Sequence, residues 1–248
     1  MWLVYEQPLN ETIRSYLRIE AVYQQAGAHA LFPYPGTEVA FFRTLFELGE
    51  LMERTDLRSD LIKDLDRQLQ HIDSWRPLPS VDHQQLDRLE QRLKRLSREL
   101  QQLTRPTQPL KEDRFLGALR QRLSIPGGYG SFDLPQLHHW LARPAEQKAA
   151  DAQYWLKLLA PITASVENLL MLLRDRGQWQ EQMAINGAYQ ASSPQEVDLL
   201  RVKLKQEYGV YPAISAHRNR FTIHLINNET GKADPRNLPI QIHLSTER

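Results

Sequence analysis

The sequence predicts an α+β fold, with an N-terminal mainly helical domain that contains a long antiparallel helix hairpin and a C-terminal antiparallel β-rich domain. Apolar residues recur at helical spacing up to about residue 178, one helix carries a regular leucine series, and apolar and polar residues alternate after Trp179. We expect the helical domain over 8–178 and the β-rich domain over 179–248, with an N-terminal strand over 2–7 joining the sheet.

The composition of the 248-residue chain excludes several classes of function. The chain has no cysteine, which excludes disulfides, thiolate metal sites and a thiol nucleophile. Its 31 Lys and Arg residues nearly balance 30 Asp and Glu residues, whereas a protein that coats nucleic acid is far more basic. The N-terminus lacks the pattern of a secretory signal, and the strongest apolar run, 169–173, is too short to span a bilayer. We therefore expect a cytosolic protein.

The first part of the chain is typical of one strand followed by three helices. Pro8 ends the strand, and Asn10 is placed to cap the first helix. A loop rich in proline over 32–36 separates it from a second helix that begins at Thr37, and a third runs over about 58–75. The residues expected to face inward are Ile13, Leu17 and Ala21 in the first helix and Phe41, Leu45, Leu48 and Met52 in the second.

The fourth helix has the most regular apolar pattern. Its leucines follow one another at spacings that alternate between three and four residues: Leu86, Leu89, Leu93, Leu96, Leu100 and Leu103. This heptad seam and the short loop before it predict an antiparallel hairpin with the third helix, and a coiled coil between subunits is the alternative. The opposite side carries Arg92, Lys94, Arg95 and Arg98, a composition that usually marks a solvated face.

The helices that follow are delimited by turn residues. We expect a helix over about 111–123, a sharp glycine-rich turn over 125–130, and a short helix capped by Asp133 with Pro135 in its first turn. Pro144 and Pro161 then precede two more helices. After them, three alternating segments around 200–204, 221–225 and 240–244 are predicted to be half-buried antiparallel strands.

The motifs of common enzymes are weak or missing. The turn over 125–130 contains glycines but no phosphate-binding motif, and no nucleophile-elbow motif surrounds Ser131. Neither His138 nor His224 stands at a metal-ligand spacing. The sequence therefore predicts no catalytic residue, no metal site and no cofactor.

One predicted strand carries a cationic stripe. Phe221, Ile223 and Leu225 are expected to face the core, which places Arg218, Arg220, Thr222 and His224 on the opposite side. The planar guanidinium fork of arginine suits the recognition of carboxylates. The stripe is either a solvated sheet face or a docking surface for an acidic peptide, and nucleic acid ranks third because this face lacks aromatic rings for base stacking.

Several stretches of the chain together resemble the ZapD family of cell-division proteins. The resemblance is collinear over about 5–226, and the longest matching stretches read RQRLSIPGG, SFDLP, LHHWL, NGAYQ and YPAISAH. It implies a cytoplasmic homodimer with a helical and a β domain that binds the C-terminal tail of FtsZ and bundles FtsZ filaments at the midcell division ring, without enzyme activity, nucleic acid or membrane as partner.

The resemblance also implies a set of partner-binding residues. Basic residues of the family map onto Arg14, Arg54, His138 and Arg220, and Arg218 stands where the family also has a basic residue. At His224 the family pattern can offer arginine, whereas the charge of a histidine is conditional near neutral pH. Two alternatives are a small-molecule enzyme that uses His138 beside the glycine-rich turn, and a nucleic-acid adaptor with a continuous basic stripe.

Overall fold

The computed structural model describes residues 1–32, 34, 36–53, 56–78, 82–217 and 219–246. The chain divides into two units, which we call the β unit (Met1–Leu17 with Leu170–Arg248) and the helical unit (Arg18–Leu169). The β unit includes the beginning of one long helix and the end of another. The architecture is mixed α+β, as the sequence predicts.

The described residues form nine helices and seven strands. The helices are α1 (Glu11–His29), α2 (Thr37–Glu53), α3 (Leu57–Trp75), α4 (His83–Gln102), α5 (Gln108–Glu112), α6 (Arg114–Leu123), α7 (Pro135–Leu141), α8 (Ala145–Leu158) and α9 (Ala160–Asp175). The strands are β1 (Trp2–Pro8), β2 (Gln180–Ala184), β3 (Ala188–Ser192), β4 (Leu199–Lys205), β5 (Val210–His217), β6 (Arg220–Asn227) and β7 (Leu238–Ser245).

The leucine seam of α4 is buried within the chain. Arg58, near the start of α3, donates to the carbonyl of Leu100 near the end of α4. Arg76, just after α3, pairs with Asp87 near the start of α4 at 2.9 Å. The two helices therefore run antiparallel, which confirms the hairpin. Leu86, Leu93, Leu96 and Leu100 are buried, whereas Leu89 and Leu103 are half-buried, so most of the seam is covered inside one chain.

Helix α1 begins at the predicted cap and buries part of the predicted face, because Ile13 is buried and Leu17 is half-buried. The Asn10 side chain accepts a hydrogen bond from the backbone nitrogen of Ile13 at 2.8 Å, which satisfies an unpaired donor of the first turn. The buried residues are Ile13, Tyr16, Ile19, Ala26 and Ala30. Ala21 is exposed, so its predicted inward position was wrong. The large Tyr16 and Ile19 side chains determine the rotation of the helix because they bury more apolar surface than alanine does.

Two helix boundaries differ from the sequence-based expectation. The single helix expected over 111–123 is interrupted, because the Asp113 side chain accepts from the backbone nitrogen of Leu116 and thereby begins α6 as a new helix. The predicted cap at Asp133 was wrong. Leu134 occupies the cap position of α7 and Pro135 its first turn, while Asp133 lies 3.8 Å from the Arg122 guanidinium.

The β unit contains two antiparallel sheets with one shared core. The strand order is β1-β4-β7-β2 in the first sheet and β3-β6-β5 in the second. The N-terminal strand β1 pairs with β4, as predicted, from Trp2 opposite Lys205 to Pro8 opposite Leu199. The buried cluster contains Leu200, Val202, Leu204, Phe221, Ile223, Leu225, Ile240 and Ile242, together with Ala184, Val210 and Leu238.

A mostly buried ion cluster ties α9 to the first sheet. Glu6 on β1 accepts two hydrogen bonds from Arg174 at the end of α9, at 2.9 and 2.6 Å. The Arg201 guanidinium on β4 lies 3.2 Å from the same carboxylate. All three side chains are less than a quarter exposed. Removal of the Glu6 carboxylate would therefore leave the guanidiniums of Arg174 and Arg201 close together and with little access to solvent.

Two observations bear on membranes. Among the described residues, no single helix is both long and apolar enough to cross a bilayer. Helices α8 and α9 reach that length and composition only as a pair, and the pair is bent by 68°.

The turn between β2 and β3 requires a glycine. Asn186 and Gly187 form it with φ of 49° and 68°, and Ile185 and Ala188 exchange two backbone hydrogen bonds of 2.9 Å across it. The backbone around Asp234 packs directly on this turn. A Cβ atom added to Gly187 would lie 1.8 Å from the carbonyl oxygen of Asp234, so no other residue fits.

We expect Gly187→Ala to destabilise the fold more than a matched glycine substitution. Gly231 has nearly the same φ, 65°, but no atom lies within 4 Å of an added Cβ. Gly231→Ala should therefore cost only the left-handed strain, about 1 kcal/mol, whereas Gly187→Ala adds the clash and should cost about 3 kcal/mol. Urea unfolding of both variants measures the difference. Equal losses would show that the turn moves away from Asp234 without penalty.

The buried carboxylate of Asp234 gives the β unit a defined acid response. Arg236 binds both of its oxygens, at 2.9 and 2.7 Å, and this hydrogen bonding lowers its pKa from 3.8 to about 2. A carboxylate whose pKa is lower in the folded chain stabilises the fold above its unfolded pKa and loses that contribution as pH falls through the folded pKa. The stabilisation should be complete above about pH 4 and vanish towards pH 2.

Asp234→Asn should therefore melt at a lower temperature than the unaltered chain at pH 6, and the gap should close as pH falls from about 4 to about 2. Glu229→Gln, in the exposed turn after β6, is the control for loss of one negative charge. Melting curves across this pH range measure both variants. A gap that stays constant down to pH 2 would contradict the role of the ionised carboxylate.

Candidate partner-binding surface

The outer face of β6 presents the cationic side chains that the sequence predicts. Phe221, Ile223 and Leu225 are buried, whereas Arg220 and His224 are exposed and Thr222 is half-buried between them. The alternation places Arg220 and His224 on the same side of one strand, four residues and about 13 Å apart. The strand therefore holds both side chains at a fixed separation, on a backbone anchored by the core.

The strands beside β6 leave room around these side chains. Arg220 lies opposite Ser192 on β3 and His217 on β5, and His224 lies opposite Ala188 on β3 and Ala213 on β5. Thr222 lies opposite Gln190 and Ser215. Because the β3 neighbours are small or uncharged, the guanidinium of Arg220 projects from a low, polar surface on that side. An extended acidic peptide could approach such a surface without displacing a bulky side chain.

The other predicted site residues lie on different elements or outside the described residues. Arg14 is on α1 and pairs with Glu11 at 3.0 Å, three residues earlier on the same helix. His138 is exposed on α7 of the helical unit. Arg54 and Arg218 lie outside the described residues. The described structure thus brings Arg220 and His224 together on one strand and assigns Arg14 and His138 to separate helices.

The basic face of β4 is not continuous with the face of β6, because the two strands belong to different sheets. On β4, Arg201 lies 5.1 Å from the Trp179 ring, and Lys203 lies between the rings of Trp2 and Trp179, at 5.5 and 5.4 Å. Lys205 also contacts Trp2, at 5.7 Å. Trp2 and Trp179 come from distant parts of the chain, so these contacts between cations and aromatic rings have no local signature in the sequence.

A buried histidine lies on the same side of the first sheet as this face. His243 on β7 pairs with Arg201 in the sheet register and contacts the Trp179 ring at 5.1 Å. Burial, reinforced by the positive charge of Arg201, lowers the pKa of His243 below its ordinary value. The imidazole is therefore held neutral at neutral pH, and it packs with Ser245 inside the sheet rather than adding a cation to the surface.

The helical unit contains a cavity of about 550 Å³ beside the helix that carries His138. Aromatic rings form much of its wall, and Phe115 stacks on Trp155 with centroids 5.9 Å apart. His139, rather than His138, lines the cavity. This cavity was not predicted from the sequence. Its wall contains aromatic and acidic residues from three separate segments: Asp113, Phe115, Trp140, Asp151 and Trp155.

The carboxylates of this cavity already have structural partners. Asp151 accepts from the indole nitrogen of Trp140 at 2.7 Å and pairs with Arg143. Asp113 accepts from the indole nitrogen of Trp155 at 3.0 Å and begins α6. Both groups hold the aromatic wall in place, which is a packing role. The cavity can accept an apolar or aromatic side chain with a polar rim, and its geometry does not favour acid–base chemistry.

The described residues include no cluster of three or more His, Asp or Glu side chains that could hold a metal ion.

The glycine-rich turn between α6 and α7 is exposed and apolar at its tip, where Phe132 is 86% exposed. Gly127 in that turn has a φ of 74°, so the turn has a conformational reason for its glycine.

Comparison with known proteins identifies the family. The family model described as "ZapD: Cell division protein" matches residues 17–224. Among curated relatives, cell division protein ZapD of Vibrio vulnificus strain CMCP6 is 43% identical over 229 residues, which cover 92% of this chain and 93% of the relative.

Two further relatives carry the same name. Cell division protein ZapD of Shewanella baltica strain OS185 is 42% identical over 236 residues, covering 95% of this chain and 96% of the relative. That of Vibrio cholerae serotype O1 strain ATCC 39541 is 40% identical over 229 residues, covering 92% and 93%. Similarity of this extent spans both units, and the chain therefore belongs to the ZapD family of cell-division proteins.

Proposed function

We propose that the protein binds the C-terminal tail of FtsZ and cross-links FtsZ filaments as a homodimer, in the cytoplasm at the midcell division ring. Membership of a cell-division family supports a role in division. The observation that carries the proposed binding surface is the exposed pair of Arg220 and His224 on β6, opposite the buried Phe221, Ile223 and Leu225.

The chemistry of this face suits an acidic peptide. A guanidinium can donate two parallel hydrogen bonds to one carboxylate, and His224 supplies a second cation when it is protonated. Thr222 and its neighbours Gln190 on β3 and Ser215 on β5 add hydrogen-bonding capacity. Arg218, two residues before Arg220 in the sequence, is a further proposed contact. Arg14, Arg54 and His138 are further proposed contacts.

We propose that the protein acts by binding and not by catalysis. The cavity beside α7 uses its two carboxylates to position tryptophans, and His138 itself does not line it. The small-molecule enzyme that would use His138 therefore has weaker support. The nucleic-acid adaptor also has weaker support, because the basic faces of β4 and β6 lie in different sheets and do not form one stripe.

The bundling mechanism follows from two-fold symmetry. A homodimer carries two copies of each docking surface, so one dimer can hold tails from two filaments. Each contact can be weak, because a filament presents many tails and the contacts act together along its length. Bundling should therefore depend more steeply on the strength of a single site than the binding of one isolated tail does.

We expect the protein to be a homodimer at micromolar concentration. Analytical ultracentrifugation should give twice the chain mass of 28.9 kDa, with dissociation only on dilution. A monomer throughout the micromolar range would exclude the bivalent mechanism, although binding of a single tail would remain testable with the peptide alone.

We expect Arg220→Ala to reduce bundling while the fold is retained. The side chain is exposed, so the free energy of unfolding should change by about 0.5 kcal/mol or less. Loss of a charged hydrogen bond should weaken tail binding by about 1.5–3 kcal/mol, which is roughly tenfold or more in affinity. Light scattering of FtsZ filaments and peptide binding by fluorescence anisotropy measure the two effects, and thermal melting reports the fold.

Lys232→Ala is the matched control, because it removes one exposed cation from the same unit at the turn that follows β6. It should bundle filaments like the unaltered chain. Bundling by the unaltered chain should also weaken with added salt, since exposed charges are screened over about 8–10 Å. A folded Arg220→Ala variant with full bundling would reject the β6 surface and direct attention to Arg14, Arg54 and His138.

A further inference from the structure

The outer side of α4 contains a groove formed by arginines. A cavity of about 520 Å³ is lined by Arg88, Gln91, Arg92, Arg95 and Arg98, all from this one helix. At 100° per residue these positions fall on one side of α4, opposite the buried leucine seam. They span about 15 Å along the helix axis, at 1.5 Å per residue. The groove is therefore a row of four guanidiniums fixed to a rigid hairpin.

The charges in this groove are only partly compensated by the contacts that the structure describes. Arg92 donates to the Asn168 side chain at 3.2 Å and Arg98 to the backbone carbonyl of Lys94 at 3.2 Å, and both acceptors are uncharged. Arg95 lies 3.7 Å from Glu99, a long and exposed ion pair. Four like charges within about 15 Å repel one another, so binding of an anion there would be favourable.

Two acidic residues of the same helix, Asp87 and Glu90, are bound by other side chains. Arg76, just after α3, binds Asp87 at 2.9 Å and also pairs with Glu90. Glu90 is bound in addition by Lys94 at 2.5 Å. No carboxylate is among the residues that line the groove, and neither is an aromatic ring. The groove can therefore recognise negative charge, but it has no group that would stack on a base or hold a metal ion.

These observations determine the class of ligand. Guanidiniums bind phosphate oxygens through two parallel hydrogen bonds, and several phosphates in a row match several arginines in a row. We propose that the arginine groove of α4 binds a linear polyphosphate, through the phosphates alone. The ligand could be an inorganic polyphosphate or the triphosphate of a nucleotide, which share this chemistry.

The affinity of the groove for a ligand should depend on the number of phosphates in that ligand. Each added phosphate brings further guanidiniums into contact, so affinity should rise from orthophosphate through pyrophosphate to tripolyphosphate. A nucleoside should add little, because the groove offers no stacking surface. The proposal is independent of tail binding, since the groove belongs to the helical unit and β6 belongs to the β unit.

The proposal can be tested by isothermal titration calorimetry. The full chain is titrated with tripolyphosphate at low salt and without divalent cations. We expect saturable binding that weakens steeply between about 50 and 200 mM salt. ATP should bind within about threefold of tripolyphosphate, and adenosine should not bind. A longer inorganic polyphosphate that binds more tightly than ATP would identify the inorganic source, and equal affinity would identify the triphosphate group itself as the ligand.

The double variant Arg88→Gln and Arg95→Gln should weaken tripolyphosphate binding by about a hundredfold, at about tenfold for each charged contact. Neither residue contacts Asn168 in the described structure, so this variant keeps the Arg92 contact with α9. Lys94→Gln is the matched control, because Lys94 carries the same charge on the same helix but binds Glu90 and does not line the groove. It should bind tripolyphosphate like the unaltered chain.

Two variants separate the site from a general charge effect. Arg88→Lys with Arg95→Lys keeps the charge but removes the planar fork, and should bind about tenfold less tightly than the unaltered chain. Arg220→Ala should bind tripolyphosphate normally.

Absence of saturable binding, or an equal loss in Lys94→Gln and in the double glutamine variant, would overturn the proposal. Binding of a DNA duplex without binding of tripolyphosphate would also overturn it, by assigning the face to nucleic acid.

Discussion

The strict alternation of β4 and β6 about a shared core is the constraint on which the β unit depends. Leu200, Val202 and Leu204 on β4 and Phe221, Ile223 and Leu225 on β6 are all buried in one cluster. A shift of one residue in either strand would exchange the two faces and expose this apolar surface. The register therefore fixes the outward direction of every second side chain, and the cationic faces of both strands are a consequence of how the core is packed.

This constraint explains which features could be predicted from the sequence. The alternation of β6 correctly indicated that Arg220 and His224 face solvent, and the leucine spacing of α4 correctly indicated a hairpin. Both signals are local and periodic. Strands β2 and β3 were not delimited because they have only five residues each, and β5 was not delimited because its segment around Tyr211 shows little contrast between its two faces. The interruption at Asp113 was missed because a helix cap and a helix-interior acid look alike in one sequence.

The parts of the site that the sequence could not give are those assembled from distant segments. The Trp2 and Trp179 rings beside Lys203, and the tryptophans that bind Asp113 and Asp151, depend on tertiary contacts that have no local signature. The arginines of α4 show a related limit. Their sequence suggests a solvated face, and only the structure shows that Arg76 binds Asp87 and Glu90, whereas Glu99 lies 3.7 Å from Arg95 of the groove.

The pairing of β1 with β4 has a consequence for the way the chain acquires its structure during synthesis. The strand is made before its partner, which lies beyond the whole helical unit in the sequence. On the ribosome, β1 must remain without its partner until β4 and β7 have emerged, whereas α3 and α4 can pair as soon as both are complete. Long-range strand pairing of this kind is slow and leaves an apolar edge exposed while the chain waits. Among the strand pairs of the described residues, β1 and β4 are the furthest apart in the sequence, so we expect β1 to be without its partner for longer than any other strand of the β unit.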